Sequence, residues 1–169
     1  MGYPNDLLVP DDGSVLGFAR VRTSAQGPEF NLGEMRETNT GKRYRYVQFK
    51  DAVTYTAGMC CTYADATSLT TVTNDISGGT SIGSVCAGVA VGVPAQNGYG
   101  WVQTYGLHTA VRTSGADDIA VGESVVVHGS TDGTVDGASA STYATGELGV
   151  AVAADDNDAN TVAVFIRVW

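Results

Sequence analysis

The stretch Asn97-Gly-Tyr-Gly-Trp-Val-Gln-Thr-Tyr-Gly-Leu-His-Thr-Ala-Val-Arg-Thr113 sets large aromatic side chains on alternate residues, pauses at a glycine and then alternates again. Tyr99, Trp101, Gln103 and Tyr105 fall on one face of an extended chain, and Gly100, Val102 and Thr104 fall on the other. Gly106 breaks the phase as a bulge or bend would, and the pattern predicts that Leu107, Thr109, Val111 and Thr113 resume it. A period of two held over so many residues is a strand signature.

The same signature recurs on both sides. RYRYVQF (43 to 49) alternates Tyr44, Tyr46 and Gln48 with Arg45, Val47 and Phe49. SVCAGVAVGV (84 to 93) places Val85, Ala87, Val89, Val91 and Val93 in phase, with glycines opposite, and Pro94 ends the run. AGMCCTY (57 to 63), LTTVTN (69 to 74), SVVVHG (124 to 129), ELGVAVA (147 to 153) and TVAVFIRVW (161 to 169) are further candidates, with weaker signals at VLGFARVR (15 to 22) and GTVDG (133 to 137). Turn residues separate them at intervals of about 8 to 12 residues. The 22 glycines oppose long helices, and FNLGEMRETNTG (30 to 41) is the one place where a helical turn is expected, ended by Gly41. The expectation is an all-β protein, a compact β-sandwich or β-barrel over residues 14 to 169, behind an extended N-terminal arm (1 to 13) that carries Pro4 and Pro10. The last strand is apolar on both faces, which places it centrally in a sheet or under another subunit.

Bulk properties narrow the function. At 169 residues the chain can bury a sizeable core without staples, and its three cysteines, Cys60, Cys61 and Cys86, write neither a disulfide framework nor a paired zinc spacing. Buried free thiols are expected, with no metal and no cofactor. The N-terminus lacks a basic region followed by an apolar run, and no stretch approaches the roughly 18 apolar residues of a spanning helix. Charge is uneven. Residues 1 to 50 hold seven basic against six acidic residues, whereas twelve acids from Asp51 onward face only Arg112 and Arg167, a balance of −10. A body of that sign repels phosphate backbones, so no nucleic-acid partner is expected, and without a spanning stretch no membrane partner is expected either.

Motifs for catalysis are weak. Gly79-Thr-Ser81-Ile-Gly83 has the G-x-S-x-G form, but the segment after it is valine- and glycine-rich and cannot supply the required helix. His108 and His128 lie in presumed strands, and Asp155, Asp156, Asn157 and Asp158 lack calcium-loop spacing, which favours a solvated turn. An enzyme built at subunit interfaces would draw on His108, His128 or Asp117, but the expectation is that the chain is not an enzyme. The sharpest local feature is Lys42-Arg-Tyr-Arg-Tyr-Val-Gln-Phe-Lys50, in which arginine interleaved with tyrosine suits either single-stranded nucleic acid or an acidic protein surface. The acidic remainder favours the protein.

Over residues 43 to 169, and most closely from residue 84 onward, the succession AGVAVGVPA, GYGWVQTYG, AVGESVVVHGSTDGTV and ELGVAVAADDNDANTVAVFIRVW resembles the small head decoration, or cement, proteins of tailed bacteriophages. The resemblance implies a β-rich homotrimer on the outer capsid surface of the virion, bound to the major capsid protein and to copies of itself. It implies capsid contacts from Tyr3, Leu7 and Leu8 in the arm and from Lys42, Arg43, Arg45 and Lys50. Tyr99, Trp101, Tyr105, Phe165, Ile166 and Trp169 would fill the core or a subunit seam. The rival reading is a carbohydrate-binding or receptor-adhesion module that uses Tyr99, Trp101 and Tyr105 as a stacking platform.

Overall fold

The computed structural model describes residues 21–50, 54–65, 67–75, 85–115, 118–138, 145–155 and 160–168. The N-terminal arm, the Gly79–Gly83 motif, Asp117, Asp156 to Asp158 and Trp169 lie outside them, as does most of the strand expected at 15 to 22. Of that strand, Arg22 forms a single antiparallel bridge to Tyr99.

The described chain is all-β. Its strands are β1 (Met35–Glu37), β2 (Arg43–Phe49), β3 (Cys60–Asp65), β4 (Ser68–Thr73), β5 (Cys86–Ala90), β6 (Tyr99–Arg112), β7 (Ser124–Val127), β8 (Val135–Gly137), β9 (Thr145–Ala151) and β10 (Thr161–Arg167). A single 3-10 turn, Ser24–Gln26, is the helical element among the described residues. The helical turn expected at 30 to 41 is instead a hairpin arm. Thr38 donates its N–H to the Lys42 carbonyl and Gly41 donates to Thr38, so Asn39-Thr40-Gly41 is a turn between strands β1 and β2.

The sheet runs β1-β2-β4-β3-β5-β6-β10-β9-β7-β8, with a further pairing of β2 to β6. That pairing closes β2, β4, β3, β5 and β6 into a five-stranded barrel, in which only β2 and β4 run parallel. All five strands contribute to its filling: Val47, Phe49, Cys61, Tyr63, Val72, Ala87, Ala90 and Val102 point inward, and Tyr55 joins them from the segment before β3. Small residues on β5 leave room for the large rings of Phe49, Tyr55 and Tyr63, as a narrow barrel requires. Phe49 and Tyr55 meet edge to face at 5.0 Å.

Strand β6 is long enough to serve twice. Its first half builds the barrel, and its second half pairs with β10, which opens a second ring of β6, β10, β9, β7 and β8. A parallel bridge from Thr113 to Val135, with Ser114 donating to the Val135 carbonyl, brings the far edge back to β6. Val111, Val125, Val127, Val135, Leu148, Val162, Val164 and Ile166 fill this ring, and Cys60, Cys86 and Val89 reach into the same cluster from the outer wall of the first barrel. The two rings thus share one wall and one core seam. β10 lies between β6 and β9, so the chain-terminal strand is central; its outer face keeps Phe165 38% exposed, against the Tyr105 ring at 5.3 Å.

Two of the expected alternations are broken by bulges. In β5, Cys61 faces Gly88 while Thr62 faces Cys86, which leaves Ala87 as the extra residue. Gly88 has φ +133°, and a Cβ there would sit 2.4 Å from the Gln103 carbonyl oxygen, so the position admits glycine alone. The bulge turns Cys86 and Val89 to the seam, Ala87 and Ala90 to the barrel, and leaves Val85 and Val93 exposed. In β6, Val111 faces Val162 but His108 faces Val164, so Thr109 and Ala110 together oppose Ala163. Leu107 consequently points outward while Val111 is fully buried. The expected phase across 107 to 113 therefore fails for the same geometric reason as the phase across 85 to 93.

Candidate functional site

The hairpin β1–β2 carries the chain's basic segment, and its second strand is a wall of the barrel. Its register sets Met35 against Arg45, Arg36 against Tyr44 and Glu37 against Arg43. The two faces of this ribbon do different work.

On the outer face, Tyr44, Tyr46 and Trp101 form a buried aromatic cluster to which Phe30, Val91 and Tyr99 are packed. Phe30 stands edge to face on Tyr46 at 5.2 Å, and Tyr46 lies 5.0 Å from Trp101. The Arg36 guanidinium closes the cluster, 4.2 Å from the Phe30 ring centre and 2.9 Å from the Glu34 carboxylate. Trp101 is only 2% exposed. Of the alternating rings, Tyr99 and Trp101 thus join a core under residues 30 to 36, whereas Tyr105 packs apart from them against Phe165.

On the other face, Arg43 pairs with Glu37 at 3.0 Å and its guanidinium lies 5.2 Å from the Tyr105 ring centre. Arg45 donates to the Tyr63 hydroxyl at the barrel mouth and lies against the Met35 sulfur. Burial pushes the Tyr63 phenol above its ordinary value, and the Arg45 charge partly offsets this. Met35, Arg36, Glu37 and Arg43 line a shallow depression of about 310 Å³. Exposed apolar side chains flank β2: Met35 at 48% on β1, Leu69 at 56% on β4, and Leu32 in the turn before β1.

The basic residues form a row instead of a cluster. Lys42 packs against Gly106 at one end, and Lys50 is exposed beyond the other end of β2, about 26 Å away by strand rise. Across the described residues 21 to 50 there are six basic and three acidic side chains, and the acids are interleaved as ion-pair partners. Glu34, Arg36 and Glu37 were not singled out in the sequence, because their part depends on residues 30 to 41 being a strand and turn. The signal was present in MRETNTGKRYR, where charges of opposite sign flank a turn tripeptide.

The residues considered for catalysis stand apart from this surface. His108 is part-buried on β6, where its Nδ1 accepts the Ala110 N–H. Burial, helped by the Lys42 charge, lowers its pKa to about 4. His128 follows β7 and accepts the N–H groups of Ser130 and Thr131 at Nδ1, with Nε2 3.9 Å from Asp136. Both rings thus serve local backbone turns. Asp155 is buried and bridges to Ile119, so its position is not the solvated turn expected. Among the described residues, no group of three His, Cys, Asp or Glu side chains is placed to hold a metal ion. No helix among them is long and apolar enough to cross a membrane.

The architecture defines the class as far as an all-β protein with a closed five-stranded barrel and a second ring sharing its longest strand. Comparison with protein-family models, curated proteins and solved structures finds no match.

Proposed function

We propose that the chain is a structural decoration, or cement, protein that binds the outside of an icosahedral phage shell and strengthens it by bridging shell subunits. The observation that carries this reading is the β1–β2 hairpin and its flanks: basic residues spaced along β2, with Met35 and Leu69 exposed on the strands paired to it and Leu32 exposed in the turn before β1, on a protein whose remaining charge is strongly acidic. Such a surface suits an acidic protein partner met over an extended line, with the long-range field set against nucleic acid. A closed barrel suits the task as well, because it leaves little free strand edge on a protein displayed at high local density. A homotrimer seated where shell subunits meet would add weak contacts through effective concentration. The arm, with Tyr3, Leu7 and Leu8, would add to the grip.

The glycan-platform alternative is not favoured, since Trp101, its central ring, is covered by Phe30 and Arg36. The test is immunocapture of intact virions with an antibody to this chain, followed by rebinding of purified protein to stripped heads. The expected result is capture of whole heads. Rebinding should be weakened tenfold or more by Arg43→Glu with Lys50→Glu, and by deletion of residues 1 to 13. Absence of the chain from intact virions would overturn the reading.

A further inference from the structure

Cys60 opens β3 and Cys86 opens β5, neighbouring antiparallel strands of the barrel. Register alone sets Cys60 against Val89 and Cys86 against Thr62. The bulge at Ala87 turns Cys86 to the same side as Cys60, and the two sulfurs lie 3.5 Å apart. Both thiols are free and buried, in the seam where the two rings pack. Cys86 also reaches the Cys61 carbonyl at 3.6 Å. Cys61, although adjacent in sequence, belongs to the barrel interior and points away from this pair.

We propose that Cys60 and Cys86 are a latent disulfide pair that staples β3 to β5, on the barrel wall that faces the seam, when the chain meets a small-molecule disulfide oxidant. A disulfide needs the sulfurs at about 2.05 Å, so closure requires a movement of about 1.5 Å, within reach of side-chain rotation in the two residues. In the reaction one cysteine, as thiolate, attacks the oxidant and displaces one small thiol; the other attacks the resulting mixed disulfide and displaces the second. Two protein S–H bonds become one S–S bond, the oxidant is reduced to two thiols, and these take up the two protons. Burial decides the product. Both thiols are buried, so a small thiol bound to either would displace seam side chains, and the mixed disulfide is driven on to the internal bond. It also decides the rate: the Cys60 thiol is held well above its ordinary pKa by the contact with Cys86 and by burial, so attack in the closed fold is slow. Oxidation is therefore fastest while the seam is open, during folding.

The experiment is refolding of the full chain from urea in a buffer of oxidised and reduced glutathione, with trapping of thiols under denaturing conditions. The expected product has one free thiol, at Cys61, a mass lower by about 2 Da, and a Cys60–Cys86 link in the peptide map. The closed loop is long, so its melting temperature should exceed that of the reduced chain by about 10 °C. Cys61→Ser should give the same link. Three free thiols, glutathione adducts, or a bond that includes Cys61 would each overturn the proposal.

Discussion

His108 shows how one strand position sets a solution property. The ring lies on the second half of β6 with its Nδ1 engaged by the Ala110 N–H, and protonation would both charge a part-buried ring and remove that acceptor. Its pKa of about 4 in the fold lies below the ordinary value of 6.5, chiefly through burial and secondarily through Lys42. Between those values the unfolded chain takes up a proton that the folded chain refuses. The stability is therefore complete above pH 6.5 and is lost as pH falls toward 4. The upper bound on this loss is about 3 kcal/mol, and solvent reaching the ring reduces it to about 1–2 kcal/mol. Urea unfolding as a function of pH checks this against His108→Gln, which cannot titrate. The two stability curves should converge in shape above pH 6.5 and separate between pH 6 and 5, before carboxylates dominate. Parallel curves through that window would show that the ring titrates normally.

At the scale of elements, β6 carries most of the consequences. Gly106 has φ +95°, and a Cβ there would lie 3.0 Å from the Lys42 Cγ and 3.2 Å from its Cα. The strand changes partners close to this residue, from β2 and β5 on one side to β10 on the other. Gly106→Val adds a branched side chain both to a backbone conformation it disfavours and to space that Lys42 backbone occupies. A loss of about 2–4 kcal/mol in unfolding free energy is expected. An unchanged urea midpoint would mean that β6 bends without help from this position. The period of two in Tyr99 to Tyr105 made the strand legible, as did the valines of β10, whose Val162, Val164 and Ile166 all reach the core. Bulges at Ala87 and at Thr109–Ala110 were not legible, because each depends on the register of a neighbouring strand that local alternation does not contain. The same limit governed the candidate surface. Lys42 to Lys50 stood out by composition, but Glu37, which pairs with its Arg43, is one hairpin arm away, in a segment read as helical.

For the whole molecule, the sharing of β6 makes an argument about cooperativity. The first barrel loses a wall if β6 leaves, and the second ring loses both its β10 partner and the bridge from Thr113 to Val135. The seam strengthens the dependence. Cys60, Cys86 and Val89 are built on barrel strands but are buried by Val111, Leu148, Val164 and Ile166 and the rest of the second ring's core, so unfolding either ring exposes apolar surface of the other. Cys60 is further tied across the seam by its N–H to the Gly133 carbonyl at 2.8 Å. Two rings with independent cores would melt separately; two rings with a common strand and a common core should melt together. The reduced chain is therefore expected to unfold in urea in one transition, with the same midpoint by tryptophan fluorescence of a Trp169→Phe variant, which keeps Trp101 beside β2 as its single tryptophan, and by hydrogen exchange at Val164 and Ile166 in the second ring. Amides of β10 exchanging through an opening well below the global unfolding free energy would instead make the second ring a separate, weaker unit hung on β6. In that case the Cys60–Cys86 staple would protect the barrel alone.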